Sequence, residues 1–219
     1  MEDAQRHAWT KLITAADLDV YLRQVGQAQA NAELLQTMLK TDRVEKPTKL
    51  LLVGGGTARF LDYVPAACLA PFQLTLTDLN SAFLERARER SARADLQNVL
   101  FTIDDIEAAK LSGSYDVVVV VLVLERIDWR RGLRNIQRLS PRDLHIVIQV
   151  NPDGLVEAIA PKRDLNRSMH AFAENARPIW VSCNELVDFP LQPGYRLQAQ
   201  DERPVLDGKT MLRLSFSRS

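Results

Sequence analysis

The sequence predicts an α/β protein with a doubly wound, mostly parallel sheet that ends in an antiparallel hairpin. Three observations support this fold class. Short apolar runs alternate with helix-compatible segments between residues 50 and 150, which is the pattern of a parallel sheet wrapped by helices. Residues 117–121 are all valine, as suits a strand that is covered on both faces. Residues 194–200 and 210–216 alternate apolar and polar side chains around Asp207-Gly208, which is typical of a hairpin.

The composition is that of one ordinary globular domain. At 219 residues the chain can bury one sizeable core. Its 28 basic and 28 acidic residues cancel, which argues against a nucleic-acid partner because binding to phosphates requires clustered Lys and Arg. Basic residues do cluster at 86–90 and 130–134 with helical spacing, and we interpret both clusters as solvated helix faces.

The cysteines and the apolar runs indicate a cellular location. Cys68 and Cys183 are the only cysteines and have no metal-ligand spacing, so we expect reduced thiols and no bound metal. No apolar run reaches membrane-spanning length, and the first residues hold no signal-peptide core. We therefore expect a cytoplasmic protein with no membrane partner.

Residues 1–46 precede the first strand and are predicted to form a helical cap or lid. Thr14 has the character of a helix cap, with an acid three residues later. From Leu18 to Leu39 apolar residues recur at helical spacing, which gives one long helix, or two if Gly26 breaks it. We interpret the stripe as packing on the domain. A lid over the cleft or a helix that forms a homodimer are the alternatives, and Tyr21 is either a site residue or a core tyrosine.

The first strand runs into Gly54-Gly55-Gly56, and a helix-compatible segment follows from Thr57. Glycine reaches positive φ at little steric cost and lets a ligand lie against bare backbone. A helix that begins near Thr57 would direct unpaired N–H groups at that ligand.

Acids close the next two predicted strands. Residues 73–78 end at Asp78, and residues 99–103 are followed by Asp104 and Asp105. An acid at the tip of the second strand can accept hydrogen bonds from both hydroxyls of a ribose. Residues 115–124 form the predicted fourth strand.

Taken together, these segments resemble the class I S-adenosylmethionine-dependent methyltransferases over residues 50–127. Four motifs occur in the order of that family: its glycine loop (51–61), its ribose-binding acid (Asp78), its adenine-contacting pair (Asp105-Ile106), and its fourth strand with the Leu-Glu-His-Ile segment after it (116–127). The resemblance implies a Rossmann-like methyltransferase fold of seven strands with the last one reversed, and S-adenosylmethionine as cofactor.

The resemblance also implies a set of cofactor-binding residues. Gly54, Gly55 and Gly56 would lie against the methionine and ribose, and Asp78 would accept from the ribose hydroxyls. Leu79 would pack on the adenine, while Asp105 would accept from its amino group and Ile106 would donate a backbone N–H. Val121, at the end of the fourth strand, would lie beside the methyl group. Asp104 is the alternative to Asp105, and a helix cap or surface carboxylate is the alternative role of each acid.

Three residues depart from the family pattern. Leu52 stands where most members carry an acid that helps to hold the methionine end of the cofactor. Ala58 stands where the last glycine of the loop is usual, and Arg126 replaces a frequent histidine. Leu52 is the change with a chemical consequence, since it removes a polar anchor.

The resemblance predicts an enzyme that transfers a methyl group to a small organic acceptor. A sulfonium donor is already activated, so orientation is the main task of the protein, and we assign no catalytic residue. Glu125 and His170 are the base candidates, each with a structural role as the alternative. The chain has no Asn-Pro-Pro-Tyr-like motif after the fourth strand, which disfavours methylation of DNA adenine or glutamine.

The rest of the chain completes the predicted domain, residues 47–219. Residues 144–150 form the fifth strand, in which His145 is interpreted as structural. Residues 151–183 interrupt the alternation with prolines and short helical patterns. This insertion follows the carboxyl end of a strand, where open α/β sheets bind ligands, so we expect it to build the substrate pocket.

Two other functions remain open. A methyltransferase fold that has lost its cofactor would serve as a non-catalytic binding module. An NAD-dependent oxidoreductase shares the strand, the glycine turn and the acid, but Arg59 occupies the last glycine position of Gly-x-Gly-x-x-Gly.

Overall fold

The computed structural model describes residues 3–41, 48–139, 141–152, 165–175, 179–189 and 194–218. Its sheet has seven strands in the order β3-β2-β1-β4-β5-β7-β6. Neighbours among the first five strands run parallel, and β7 runs antiparallel to both β5 and β6. The predicted α/β class and the reversed last strand are confirmed. The strands are β1 (Thr48–Val53), β2 (Phe72–Asp78), β3 (Leu100–Ile103), β4 (Val117–Val121), β5 (Asp143–Val150), β6 (Tyr195–Pro204) and β7 (Thr210–Arg218).

Helices cover both faces of the sheet. They are α1 (Asp3–His7), α2 (Ala15–Gln24), α3 (Gln27–Thr41), α4 (Ala66–Leu69), α5 (Ser81–Arg93), α6 (Trp129–Arg138), α7 (Arg167–Asn175) and α8 (Cys183–Asp188), with a π-helical turn at Ala8–Leu12. One face packs against α6 and α8 through residues such as Val118, Ile136 and Leu186. The other face packs against α3 and α5 through residues such as Leu35, Leu52 and Leu84. The all-valine β4 is buried between these two layers, as its composition requires.

The N-terminal helices pack on the domain. Thr14 caps α2 by accepting a hydrogen bond from Asp17 N, and Gly26 at φ 74° separates α2 from α3. The apolar stripe of α3 is buried against the sheet: Leu35 and Met38 join the layer with α5, and Leu34 contacts the region of β5 and β7. The homodimer and the boundary near residue 47 stay predictions.

Two local predictions at the strand ends are wrong. No α-helix begins at Thr57: Ala58 lies in the left-handed region at φ 52° and only a 3-10 turn, Arg59–Asp62, follows. A left-handed residue interrupts the right-handed geometry that a helix start needs. β4 ends at Val121 rather than at residue 124, because Leu122 is also left-handed at φ 53°.

Three further sequence predictions concern membrane-spanning helices, the insertion at residues 151–183 and His145. No helix in the described ranges is both long and apolar enough to span a bilayer. Of the insertion, residues 151–152, 165–175 and 179–183 are described, whereas residues 153–164 and 176–178 lie outside the described residues. His145 is buried with Nδ1 2.9 Å from Ser215 Oγ, in keeping with a structural histidine.

Candidate active site

One cavity of about 180 Å³ lies at the carboxyl ends of β1, β2, β4 and β5. Strand order reverses between β1 and β4, which is the switch point where open α/β sheets bind ligands. The eight residues that the sequence predicted for the cofactor all line this cavity: Gly54, Gly55, Gly56, Asp78, Leu79, Asp105, Ile106 and Val121. Their role in binding stays a prediction, but the fold brings them together.

The glycine loop is fixed by β2 and open on one side. The N–H groups of Gly54 and Gly55 both donate to Thr77 O at 3.0 Å, so they are not available to a ligand. A Cβ at Gly55 would lie 2.5 Å from the Leu76 side chain, whereas a Cβ at Gly56 would meet no atom within 4 Å. Glycine at 55 is therefore needed for packing, and Gly56 leaves free space above the backbone.

Asp78 is the buried acid beside that space. Its Oδ2 accepts from Gly56 N at 3.0 Å, and its Oδ1 accepts from Asn80 N at 2.9 Å. The side chain is only 4% exposed. Burial raises the pKa of Asp78, although these hydrogen bonds oppose the shift.

Trp9 and Arg6, which sequence reasoning missed, contact the two acids of the predicted adenosine site. Trp9 Nε1 donates to Asp78 Oδ1 at 3.0 Å, across 69 residues of sequence. Arg6 forms an ion pair with Asp105 Oδ2. Asn80 Nδ2 donates to Trp9 O at 2.8 Å and so holds the segment down. The N-terminal segment thus engages the two acids that the sequence predicted for the nucleoside.

Asp104 and Asp105 both line the cavity, so the choice between them stays open. Asp105 caps the turn that starts at Ile106, with Oδ1 accepting from Glu107 N at 3.0 Å. Asp104 is buried; its Oδ1 accepts from Lys110 N at 2.9 Å, and its Oδ2 has no partner among the described residues. Burial raises the pKa of Asp104, and its neighbour Asp105 adds to the increase.

A buried ion pair anchors the backbone after the glycine loop. Asp19 of α2 lies 2.7 Å from Arg90 of α5, and both side chains are more than nine-tenths buried. Asp19 also accepts from Thr57 Oγ1 at 2.5 Å, and Arg90 donates to Thr57 O. The interpretation of residues 86–90 as a solvated face is therefore wrong for Arg90, because an acid from a distant helix draws it inward.

At position 52, where the family pattern has an acid, the structure offers no polar group. Leu52 is 2% exposed and packs in the apolar layer under α3. Asn31 of α3 lines the same cavity, and its Oδ1 is buried without a hydrogen-bond partner in the described part of the chain. A buried amide oxygen without a donor is a free acceptor for a ligand.

Glu125 and Arg126 line the cavity just past β4. Glu125 is 6% exposed; its Oε1 accepts from Gln149 N at 2.8 Å, and its Oε2 has no described partner. The Arg126 guanidinium carbon lies 5.2 Å from the Trp9 ring centre and 5.0 Å from that of Phe172. Burial raises the pKa of Glu125 and lowers the pKa of Arg126.

The other two sequence candidates are placed differently. Tyr21 is buried and lines the cavity wall. His170 lies on α7, whose Met169 and Phe172 face the cavity, but it is not among the residues that line it. Glu125 is thus the base candidate that the fold places in the cavity, and His170 is not.

Comparison with known proteins finds a family model that matches the middle of the chain. Residues 51–141 match the model of a methyltransferase domain family. The chain is 30% identical over 137 residues to the ubiquinone/menaquinone biosynthesis C-methyltransferase UbiE of Rhodopseudomonas palustris. The aligned region covers 61% of this chain and 51% of that protein. The chain therefore spans about half the length of this curated relative.

Solved structures share the fold at low identity. The magnesium protoporphyrin IX methyltransferase of Synechocystis, crystallised with S-adenosylhomocysteine (SAH), matches with a TM-score of 0.65 and 14% identity over 89% of this chain and 84% of that one. The [4+2]-cyclase SpnF matches with a TM-score of 0.60 and 12% identity over 84% and 80%. These similarities show the fold, and the cyclase shows that the fold alone does not fix the reaction.

Proposed function

We propose that the chain is an S-adenosylmethionine-dependent methyltransferase that transfers the methyl group of S-adenosylmethionine to a small organic acceptor, as the methyltransferase-domain match and the similarity to UbiE support. The observation that carries this proposal is the pairing of Gly56 and Asp78. Free space lies above Gly56, and the buried Asp78 carboxylate is held beside it by the Gly56 N–H. This is the arrangement that a ribose needs: open backbone on one side and a fixed acceptor on the other.

The cavity offers groups for each part of the cofactor. Asp78 would hold the ribose hydroxyls, and Asp105 or Asp104 together with Ile106 would hold the adenine. Asn31 would accept from the methionine ammonium, which replaces the acid that is missing at position 52. These assignments are supported by the common cavity and by the unpartnered Asn31 Oδ1.

S-adenosylmethionine, when bound, supplies an activated methyl group on a positively charged sulfur. What the chain supplies is orientation, which is worth on the order of 7–11 kcal/mol for a well-aligned reaction. The apolar end of β4 at Val121, with Leu122 and Val123, forms a wall that excludes water from the reacting groups. Where the acceptor must lose a proton, Glu125 would take it: this carboxyl lies just past β4, and its Oε2 has no partner among the described residues.

Ligand-induced stabilisation tests the proposal. We expect SAH and S-adenosylmethionine to raise the melting temperature of the full chain, and NAD to leave it unchanged. Asp78→Asn removes the charge that accepts the ribose hydroxyls, so we expect affinity for SAH to fall at least about tenfold. Asp188→Asn, at the exposed end of α8, is the matched control and should leave affinity unchanged.

A non-catalytic binding module is the second candidate, and two observations favour it. The buried Leu52 leaves no acid at its position, and Trp9 and Arg6 already engage the acids of the adenosine site. Failure of both SAH and S-adenosylmethionine to stabilise the protein would support the module and contradict the enzyme. The NAD alternative loses support, because its characteristic strand order is 3-2-1-4-5-6, whereas here an antiparallel β7 lies between β5 and β6.

For partners and location we propose a small-molecule substrate without nucleic acid, in the cytoplasm. The balanced charge supports the first part. The second part is supported by the free thiols of Cys68 and Cys183.

A further inference from the structure

The acceptor end of the cavity holds two arginines with unused donors. Here we call the acceptor end the part lined by Glu125, Arg126, Arg213 and the aromatic side chains of Tyr21, Phe172 and Trp180. The Nη1 atoms of Arg126 and Arg213 are both buried, and neither has a hydrogen-bond partner among the described residues. A buried guanidinium donor without an acceptor is costly, and a ligand oxygen that reaches it removes that cost.

Arg213 is held in place by its other nitrogens. Its Nε donates to Asp201 Oδ2 at 3.1 Å, and its Nη2 pairs with the same oxygen. The Arg213 side chain is only 3% exposed. Asp201 thus compensates the charge and fixes the orientation, but it leaves Nη1 without an acceptor.

The sheet register places Arg213 on the same face as the predicted methyl position. Val121 of β4 pairs with Val147 of β5, and Val147 pairs with Arg213 of β7. Side chains of directly paired residues point to the same face. Two strand spacings separate Val121 from Arg213, a distance of about 10 Å, which is enough for one ring and a polar substituent between them.

Arg126 is held by aromatic rings rather than by acids. Trp9 and Phe172 contact its guanidinium at 5.2 and 5.0 Å from their ring centres. Such contacts satisfy the faces of the guanidinium and leave its in-plane N–H groups for an oxygen ligand. Glu125 lies next in sequence, but the two side chains form no ion pair within 4.0 Å; Glu125 binds Gln149 N instead.

We propose that the acceptor is an aromatic carboxylic acid, whose carboxylate binds Arg126 and Arg213 while its ring packs among Tyr21, Phe172 and Trp180. This rests on the proposed methyl transfer, since it names the acceptor of that reaction. Carboxylate oxygens are the partners that guanidinium groups bind most strongly. Planar rings match the aromatic walls.

Binding of paired probes tests the proposal. The probes are benzoate, 4-hydroxybenzoate and 2-naphthoate, each compared with its primary amide, titrated into the full chain with and without saturating SAH. We expect the best acid to bind at least about tenfold more tightly than its amide, because hydrogen bonds to a charged oxygen are the stronger ones. Arg126→Met and Arg213→Met should each weaken the acid at least about fivefold and leave the amide unchanged.

Controls separate this proposal from the proposed methyl transfer. Arg134→Met, on the exposed face of α6, should change neither acid nor amide binding, and the affinity of each variant for SAH reports that it is folded. Equal affinity for acids and amides, no detectable binding of any acid, or arginine variants that bind the acid normally would each overturn the proposal. Acid binding that depends on both arginines in a protein that ignores SAH would support this site and contradict the methyltransferase function.

Discussion

The two ends of the cavity are built in opposite ways. At the adenosine end, formed by the glycine loop, Asp78 and Asp105, these two carboxylates are already engaged by donors of the chain itself: Gly56, Asn80, Trp9 and Arg6. Asp104 Oδ2 and Asn31 Oδ1, which also line the cavity, have no described partner. At the acceptor end, Glu125, Arg126 and Arg213 each keep a buried polar atom without a described partner. A ligand that bonds to Asp78 or Asp105 competes with Trp9 or Arg6, whereas a ligand at the second end meets groups whose bonding is incomplete.

This difference between the two ends of the cavity indicates which end can contribute more free energy to ligand binding. Buried unpaired donors and acceptors are costly, and a ligand that pairs them removes that cost. Displacing Trp9 exchanges one hydrogen bond for another and brings a smaller net gain. The acceptor end should therefore discriminate strongly between ligands, while the adenosine end should respond to changes in the N-terminal segment.

The largest expected effect is at the ion pair that supports the adenosine end. Asp19→Asn removes the nearer of the two carboxylates that pair with the buried Arg90, leaves only Asp62, and loosens Thr57. We therefore expect a loss of about 3 kcal/mol in the free energy of unfolding, the lower end of the range for a broken buried pair. Urea unfolding measures it. Glu89→Gln breaks the exposed Arg86–Glu89 contact and should cost less than about 1 kcal/mol. Equal losses for the two variants would show that the buried pair is not a structural anchor.

The next largest effect is the pH dependence of the free energy of unfolding, which tests whether Glu125 at the acceptor end is buried as a protonated carboxyl. Burial raises the pKa of Glu125 in the folded chain, so the folded state keeps a proton that the unfolded state has already released. The free energy of unfolding should then fall as pH rises from the ordinary glutamate pKa to the raised one, and level off above it.

Glu125→Gln has no such proton and should flatten that part of the curve. Urea unfolding at a series of pH values measures both proteins. The pKa of Asp78 is also raised by burial, and Asp78 affects the pH dependence of the free energy of unfolding equally in the unchanged protein and in the variant. The difference between the two curves therefore reports Glu125. Superimposable slopes would contradict the assignment.

A smaller effect tests whether Trp9 competes with the cofactor. Trp9→Phe keeps a ring against Phe83 and Phe172 but deletes the N–H that binds Asp78. Removing a competing hydrogen bond of about 1 kcal/mol should raise the affinity for SAH about fivefold. Isothermal titration measures the change. A drop in affinity would mean that Trp9 closes over the bound cofactor as a lid and does not compete with it.

The smallest effect is at the strained residue of the glycine loop. Ala58 lies at φ 52°, where a side chain is unfavourable and glycine is not. Ala58→Gly should therefore raise the free energy of unfolding by about 0.5–1 kcal/mol in spite of the more flexible unfolded chain. Ala70→Gly, at the right-handed end of α4, is the control and should destabilise. A loss of stability in both would contradict the assigned strain.

The two ends of the cavity also differ in how much of their structure could be predicted from the sequence. The strands, the glycine loop and the acids at Asp78 and Asp105 were predictable because each follows from a local pattern of neighbouring residues. Trp9, Arg6 and Asp19 were not, because their partners lie 69, 99 and 71 residues away. Arg90 is one example. Its helical spacing predicts a solvated position, but the side chain is buried in an ion pair with Asp19, which is distant in sequence. Ala58 shows another limit, since the loop pattern favours a helix start and the left-handed backbone prevents it.

The structure of the full chain with bound SAH tests the central claim most directly. The account predicts that the ribose hydroxyls lie within hydrogen-bond distance of Asp78, beside the bare backbone of Gly56, with the sulfur turned toward Val121. A nucleoside bound elsewhere, or a protein that takes up no SAH while Trp9 remains on Asp78, would contradict it.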